Sequence, residues 1–294
     1  MVTKKATTVD EQISLLESRK MKVADKQKAK EILLDIGYYR LGFYWFPFEK
    51  TYPEKGKKRS HEFVDETCFE DAVGLYYFDY DIRKLLLPYL CRIEINLRTF
   101  VIYCVSHHYH SNPLWFADSS VLDRNFVTHF QKSYLDGIKN NSAIKQHHKN
   151  HPKDLYAPAW KTLEYATFGD IITLCKSLKD RSIQKEIAYH YDIRNIDVFF
   201  SFFDTVRVLR NLCAHGHNIF DLRLQKSIKR GMLSEIVGNE CNNLLGAIRV
   251  TLYLLSKISA NRSNDMKNEL TDLICTSRNT KFYSVIKYLE GLSE

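Results

Sequence analysis

Apolar residues recur every three or four positions along most of this chain, the spacing that places them on one face of an α-helix. Residues 197–220 predict a helix that stops at Gly216. Its apolar positions are Phe199, Phe202, Phe203, Val206, Leu209 and Cys213. In the long segment 63–108 they are Leu86, Leu90, Ile93, Leu97 and Val101. No segment alternates apolar and polar residues strongly enough to predict a β-strand. The pattern therefore predicts an all-α fold of many helices.

The N-terminal part predicts two short helices, an aromatic segment and one long helix. The short helices cover residues 8–19, capped by Thr8 or Asp10, and residues 25–36, ended by Gly37. The aromatic run 38–50 predicts a wedge packed against helices, although such a run could also stack nucleotide bases. Pro88 is expected to kink the long helix within residues 63–108 or to restart it.

The second half of the chain predicts shorter helices separated by loops. Residues 136–153 are polar and basic, which predicts an exposed loop. In residues 157–178, Pro158 opens one helix, and Asp170 is expected to cap another after a break. Further helices are predicted over residues 181–191, 232–259, 264–276 and 281–292.

Composition narrows the class of protein. The 294 residues are 45% hydrophobic, with 11 Gly and 6 Pro, which favours a sizeable core and few tight turns. The formal charge of +8 and a pI near 9.0 suit an anionic partner such as nucleic acid. Seven cysteines without a C-x-x-C pair favour buried thiols in a reducing compartment. With no signal-peptide or membrane-spanning pattern, we expect a cytoplasmic protein.

Polar side chains that can act on a phosphodiester cluster at the end of the 197–220 helix. Arg210 can hold a phosphate with two hydrogen bonds, and Asn211 can orient either that phosphate or the imidazole of His215. His215, which follows Asn211 by one helical turn, can transfer a proton near neutral pH. Arg207 and His217 lie beside them as RNA-binding candidates. If the nucleophile is the 2′-hydroxyl of RNA, this chemistry requires no metal or other cofactor.

The Arg-x4-His spacing alone has a simpler interpretation. A capped helix end with a structural histidine would give the same residues, and a second such pair, Arg124 and His129, occurs in this chain. That second pair lacks a long apolar helix before it, so we interpret it as coincidence. The first pair therefore depends on its context.

Two further groups of residues bear on binding. Lys57, Lys58 and Arg59 lie in a basic loop that could contact phosphate or could simply be solvated. Arg98 and Glu94 are spaced as a surface ion pair, but they could also lie beside Arg210 on a neighbouring helix.

The histidine-rich stretches raise the question of a metal site. They contain His107, His108, His110, His147, His148 and His151. Zinc sites usually add Cys or acidic ligands at defined spacing, and no cysteine is expected near these loop-like stretches. We therefore predict no metal site.

Five stretches, in order, resemble the Abi-like family of bacterial abortive-infection proteins, of the AbiD/AbiF type. They are I-G-Y-Y-R-L-G-F-Y-W-F-P-F (36–48), F-E-D-A-V-G-L-Y-Y-F-D-Y-D-I-R-K-L-L-L (69–87), R-I-E-I-N-L-R (92–98), P-A-W-K-T-L-E-Y-A-T-F-G-D (158–170) and R-N-L-C-A-H (210–215). The family is similar to the HEPN superfamily. One departure is Asn218, which stands where the family often has a basic residue.

The resemblance implies a single Abi-like domain over residues 1–294. Residues 1–60 would form an N-terminal helical and aromatic segment, 61–260 a HEPN-like bundle, and 261–294 additional C-terminal helices. It also implies a homodimer that brings two Arg-x4-His motifs around one RNA, with Arg210, Asn211 and His215 as catalytic residues. A structured noncoding RNA is a further implied partner.

Two functions follow as hypotheses. The first is a metal-independent endoribonuclease of phage defence that leaves 2′,3′-cyclic phosphate ends. The alternative is a non-catalytic protein that binds a structured noncoding RNA, chiefly through the basic segments 55–59 and 223–230.

Overall fold

A computed structural model describes residues 5–53 and 59–292 of the chain. These residues form α-helices, six short 3₁₀ helices and three isolated β-bridges, and no longer strand pairing occurs among them. The all-α prediction is therefore confirmed. The helices are α1 (Val9–Ser18), α2 (Lys26–Asp35), α3 (Tyr38–Trp45), α4 (Phe69–His108), α5 (Arg124–Asp136), α6 (Ser142–Asn150), α7 (Ala159–Thr162), α8 (Phe168–Ser177), α9 (Arg181–His190), α10 (Ile196–Ala214), α11 (Leu244–Ile258), α12 (Ala260–Thr276) and α13 (Tyr283–Ile286).

Contacts divide the chain into two compact units. The first comprises Met1–Lys84, Asn218–Phe220 and Glu269–Glu294. The second comprises Leu85–His217 and Asp221–Asn268. The predicted single domain, with segment boundaries near residues 60 and 260, stays a prediction.

The first unit is built on α1, α2 and α3 and on the first part of α4. Thr8 caps α1 with a reciprocal capping box, in which its side chain accepts from the Glu11 N–H and the Glu11 side chain accepts from the Thr8 N–H. In the aromatic segment, Tyr44, Trp45 and Phe46 are buried. The packed wedge is therefore confirmed for this part of the aromatic run.

A buried carboxylate holds the first unit's inserted segment 218–220. Asp79 is fully buried, and its Oδ1 accepts from the backbone N–H groups of Ile219 (2.9 Å) and Phe220 (2.7 Å). Its Oδ2 accepts from the Tyr44 hydroxyl at 2.9 Å, and Arg83 Nε lies 3.5 Å away. Burial raises the pKa of Asp79, while these partners oppose that rise. Asp79 thus satisfies three buried donors at once.

The second unit is organised around α10, which packs against α8, α9 and α11. Asn195 caps its start by accepting from the Asp197 and Val198 N–H groups. Both predicted apolar stripes are confirmed, because every position of each is buried: Phe199, Phe202, Phe203, Val206, Leu209 and Cys213 on α10, and Leu86, Leu90, Ile93, Leu97 and Val101 on α4. Burying these side chains removes a continuous apolar surface from water.

Of the two outcomes expected at Pro88, a kink or a restart, the restart does not occur, since α4 is helical without interruption across it. Two other predictions about helix limits were wrong. The cap of α8 is Thr167 rather than Asp170; Asp170 is the third helical residue and closes a capping box with Thr167. Residues 232–259 form only the 15-residue α11 and a short 3₁₀ helix, because Asn243 caps α11 late by accepting from the Gly246 N–H.

The prediction of an exposed loop over residues 136–153 was also wrong, because this segment contains α6. Asn141 caps this helix by accepting from the Ala143 N–H. Its two inward positions, Ile144 and His147, are both buried. The segment has too few apolar positions for the helical spacing to be recognised in the sequence.

No helix of the described residues combines the length and apolar character needed to cross a lipid bilayer.

We predict that Asp79→Ala lowers the free energy of unfolding by about 3 kcal/mol, because it leaves buried amide and hydroxyl donors without an acceptor. Asp79→Asn should cost less, since its amide oxygen can still accept. Urea unfolding of the purified protein measures both. Asp81→Ala is the matched control: Asp81 is exposed two positions further along α4, and its loss should change stability by no more than about 0.5 kcal/mol. Equal losses for Asp79→Ala and Asp81→Ala would contradict the proposed role.

Candidate functional site

The end of α10 is a complete Schellman cap. The Gly216 N–H donates to the Cys213 carbonyl at 3.3 Å, and the His217 N–H donates to the Leu212 carbonyl at 3.0 Å. Gly216 has a φ of 67°, a left-handed conformation that glycine adopts without steric cost. The predicted helix stop is therefore confirmed. His215 is the cap residue itself, so the helix ends with its backbone fixed on both sides of this histidine.

Arg210 is held by an acid from another helix. Its Nη2 lies 2.7 Å from Oε2 of Glu94 on α4, and its Nη1 donates to Oδ1 of Asn211 at 3.0 Å. The guanidinium N–H is not aimed at Glu94 Oε2, which has no hydrogen bond from the described residues. The contact is therefore an ion pair rather than a linear hydrogen bond. The Arg210 side chain keeps 29% of its surface exposed.

Glu94 binds a second arginine on its own helix. Arg98 Nη2 lies 2.9 Å from Glu94 Oε1 and also donates to the Ala166 carbonyl at 3.1 Å. Glu94 and Arg98 are buried, with 6% and 9% of their surfaces exposed, so this is not the surface ion pair that spacing alone suggested. One negative and two positive charges meet here, which gives the group a net charge of +1. The structure thus places Arg98 beside Arg210, as one sequence hypothesis expected.

Arg207 adds a further cation one turn before Arg210. Its Nε lies 3.6 Å from Oδ1 of Asp204, whose Oδ2 accepts from Lys176 Nζ at 2.7 Å. A Cβ at Gly169, in the first turn of α8, would lie 3.7 Å from Arg207 Cδ. Since Ala166 and Gly169 flank the capped start of α8, both Arg98 and Arg207 lie next to the end of that helix where the dipole is positive.

His215 is exposed, and its imidazole makes no hydrogen bond or ion pair with any residue in 5–53 or 59–292. It lies one turn after Asn211, so the two side chains project from nearly the same face of α10. His217 is exposed as well. The end of α10 therefore presents an oriented guanidinium, a carboxamide and an accessible imidazole.

This arrangement suits a proton transfer beside a bound anion. A guanidinium whose position is already fixed loses little entropy when it binds phosphate, and an exposed imidazole can exchange protons with solvent between cycles. The buried Glu94 makes it costly for Arg210 to swing away, because Glu94 Oε2 would lose its cation and only Oε1 would stay paired, with Arg98.

The basic loop is only partly described. Lys57 and Lys58 lie outside the described residues, so their predicted RNA contacts stay predictions. Arg59 pairs through Nε (2.9 Å) and Nη2 with the buried Glu49, and its guanidinium lies 4.3 Å from the centre of the Phe46 ring. Arg59 therefore has a structural role within the first unit. Its predicted contact with RNA stays a prediction.

The second Arg-x4-His pair lies at the opposite end of its helix. Arg124 is the first residue of α5 and His129 lies within it, whereas Arg210 and His215 lie at the end of α10. Arg124 and His129 line a surface cavity of about 580 Å³ together with Asp123 and Thr173. No acid in the described residues forms an ion pair with Arg124. This pair therefore offers a matched comparison for the first.

Two exposed aromatic residues of the second unit were not singled out in the sequence. Trp160 and Tyr165 are 54% and 39% exposed. Tyr165 directly precedes Ala166, whose carbonyl binds Arg98. An exposed ring can stack a nucleobase. The contact between Arg98 and Ala166 could not be predicted from the sequence, because 68 residues separate them along the chain.

A family model described as "Abi-like protein" matches residues 31–221, well over half of the chain. The chain belongs to the Abi-like family. Membership links it to abortive infection, a bacterial defence against phage. No curated protein and no solved structure matched the chain. Every residue of the α10 and α4 cluster lies inside the matched range of this Abi-like chain.

The histidine-rich stretches of the Abi-like chain separate into local contacts. His147 Nε2 lies 3.1 Å from Asp154 Oδ2, and His107 Nδ1 lies 2.8 Å from the Tyr103 carbonyl. His108, however, lies against Glu186 of α9, with Cys104 one turn before it on α4. The expectation that no cysteine lies near these histidines was therefore wrong, because the long helix continues through both residues.

Glu94→Gln should lower the free energy of unfolding by about 3 kcal/mol, since it leaves two arginines in a half-buried cluster without their shared anion. In the Glu94→Gln background, Arg210→Ala should cost much less than in the unmodified protein, because the pair is already broken. Denaturant unfolding of the four proteins in this double-mutant cycle gives the coupling energy.

The matched control for this cycle is Glu164→Gln, an exposed acid in the same unit with no ion pair in the described residues. It should leave stability within about 0.5 kcal/mol of the unmodified protein. Additive effects of Glu94→Gln and Arg210→Ala would show that the two side chains do not stabilise each other.

Proposed function

We propose that this Abi-like chain is an RNA-cleaving effector of abortive infection, with its reaction site at the end of α10. The observation that carries the proposal is that Glu94 and Asn211 hold Arg210 near the end of α10, where His215 is exposed and has no hydrogen bond or ion pair among the described residues. The resemblance of the Arg-x4-His stretch to the HEPN superfamily supports the same reaction.

In this reaction Arg210 binds a non-bridging phosphate oxygen and balances the charge that develops on it. His215 removes the proton from the ribose 2′-hydroxyl, and the 2′-oxygen then attacks phosphorus. The bond between phosphorus and the 5′-oxygen breaks, and that oxygen takes up a proton. The products are a 2′,3′-cyclic phosphate and a 5′-hydroxyl, so no water, metal or cofactor is consumed.

The proposal includes a homodimer. The reaction needs one group to accept a proton and another to donate one, and the proposal assigns His215 to only one of these two transfers. A second copy of the chain would supply the same residue for the other proton transfer. The resemblance to dimeric HEPN proteins supports this arrangement, and the mass of the protein in solution tests it.

Neighbouring residues would bind the rest of the RNA. Arg98, Arg207 and His217 add positive charge or hydrogen-bond donors near Arg210, as sequence reasoning proposed. Tyr165 and Trp160 offer rings on which bases of a single strand could stack, each contributing on the order of 1–3 kcal/mol. DNA lacks the 2′-hydroxyl that serves as nucleophile in this reaction, so DNA of the same sequence should bind without being cut.

Arg210→Ala and His215→Ala should each lower the rate of RNA cleavage by about 100-fold or more, because each removes one contribution to the transition state. The measurement is single-turnover cleavage of labelled single-stranded RNA, with the ends of the products identified by mass spectrometry. The reaction should proceed in the presence of a metal chelator.

Arg124→Ala and His129→Ala provide the matched control, since they alter the same residue types at the same spacing on α5. They should leave the rate unchanged. If these changes abolish cleavage while Arg210→Ala and His215→Ala do not, the reaction belongs to the cavity at the start of α5, and the assignment to α10 is wrong.

A second function is favoured by one observation. Both terminal nitrogens of Arg210 are already engaged, Nη2 by Glu94 and Nη1 by Asn211. An arginine held in this way could serve only to recognise RNA, for example a structured noncoding RNA, without cutting it. In that case the basic segment 223–230, together with the partly described loop 55–59, would contribute much of the affinity.

The binding-only function predicts that RNA recovered with the purified protein is intact and that His215→Ala does not change its yield. Arg207→Ala and Arg210→Ala should weaken binding of that RNA and lower the salt slope of log K by about 0.7–0.9 for each phosphate that the variant no longer binds. Filter binding at several salt concentrations measures the slope. Cyclic phosphate ends on the recovered RNA would exclude this function.

A further inference from the structure

Three potential metal ligands of different chemistry converge within the second unit, on helices other than α10. The Cys104 sulfur, a ring nitrogen of His108 and a carboxylate oxygen of Glu186 all lie within 4.8 Å of one another. His108 Nε2 is 2.7 Å from Glu186 Oε2. No residue of this set takes part in the RNA chemistry proposed at the end of α10.

Two helices fix the positions of these donors. Cys104 and His108 are four residues apart in the last part of α4, so both side chains lie on one face of that helix. Glu186 lies in the middle of α9, where neighbouring turns hold its backbone. An i, i+4 pair on one helix completed by an acid from another helix is a common way to build a metal site, because each ligand direction is set by a rigid element.

The burial of the three residues suits a site with one open side. Cys104 is buried, with 2% of its surface exposed. The side chains of His108 and Glu186 are 39% and 53% exposed, so an ion can approach them from solvent. A buried sulfur behind two accessible ligands would shield one side of the ion and leave a coordination position for water.

The types of donor restrict which metal fits. A thiolate and an imidazole disfavour calcium and magnesium, which prefer oxygen ligands, and they suit zinc, cobalt or another late first-row divalent ion. Zinc with three protein ligands and one water is a familiar coordination in proteins. The net positive charge of the chain would not prevent a cation from binding at this cluster, because Glu186 and the Cys104 thiolate would together carry two negative charges.

We propose that Cys104, His108 and Glu186 form a site for a divalent transition metal, of which zinc fits best. On binding, the ion replaces the thiol proton, which passes to solvent, and it takes the place of the hydrogen bond between His108 and Glu186. The ion would then tie the end of α4 to α9 directly.

The test is cobalt binding to the full chain after metal has been removed with a chelator. Tetrahedral cobalt gives visible absorption bands, and a cysteine ligand adds a thiolate-to-cobalt charge-transfer band in the near ultraviolet. We expect one equivalent per chain, displaced by zinc. Zinc at about 100 times its Kd should raise the Tm by about 5 °C, because it binds only the folded site.

His108→Ala and Glu186→Gln should weaken cobalt binding by about 100-fold or more, and Cys104→Ser should remove the charge-transfer band. The first two changes lie at the surface and should leave the fold intact, so they remain informative if Cys104→Ser fails to fold. Matched controls are His107→Ala, the adjacent exposed histidine, and Cys275→Ser, an exposed thiol. Neither should change the binding.

Two outcomes would overturn the proposal. One is the absence of stoichiometric cobalt or zinc binding by the unmodified protein at micromolar concentrations. The other is equal binding by the His108→Ala and Glu186→Gln variants, which would place the ion elsewhere. In either case the three side chains form a hydrogen-bonded group that closes α4 against α9 without an ion.

Discussion

The buried carboxylate of Glu94 is the interaction on which the candidate site depends. A lone carboxylate in this position would be strongly destabilising, so its burial requires cations on both oxygens. Arg98 supplies one from the next turn of α4, and Arg210 supplies the other from α10. Arg98 also binds the Ala166 carbonyl, which brings the segment before α8 to the same point. One acid thereby fixes the relation of three chain segments and leaves the group with excess positive charge.

Two features of α10 place His215 at the surface: the buried apolar face of the helix and the cap that ends it. The apolar residues from Phe199 to Leu209 are buried, so packing sets the position of most of the helix, and the ion pair with Glu94 holds its polar end. The Schellman cap at Gly216 then stops the helix and exposes His215 to solvent. A helix that ended one turn later would carry this histidine along its side instead. Rigid packing and an abrupt stop together give an accessible imidazole with a fixed backbone.

Much of this could be predicted from local sequence. The apolar period identified α4 and α10, and the glycine after His215 identified the stop, because both depend only on neighbouring residues. The pairing of Glu94 with Arg210 could be raised only as one of two alternatives, since it depends on how two helices pack. The contact of His108 with Glu186 gave no local signal at all. The late start of α11 and the existence of α6 were missed because short helices depend on single cap residues.

The charges around Arg210 bear on whether the site cuts RNA or only holds it. Glu94 neutralises one of its two arginine partners, so the group can still balance about one negative charge. A phosphodiester carries one such charge when bound and gains a second in the transition state. His215, once protonated by the 2′-hydroxyl, would supply the second positive charge at the moment it is needed. In the proposed reaction, the charge of the cluster thus matches that of bound RNA by itself, and it matches that of the transition state only together with the imidazole. The proposed step from binding to cleavage therefore needs His215 in addition to Arg210.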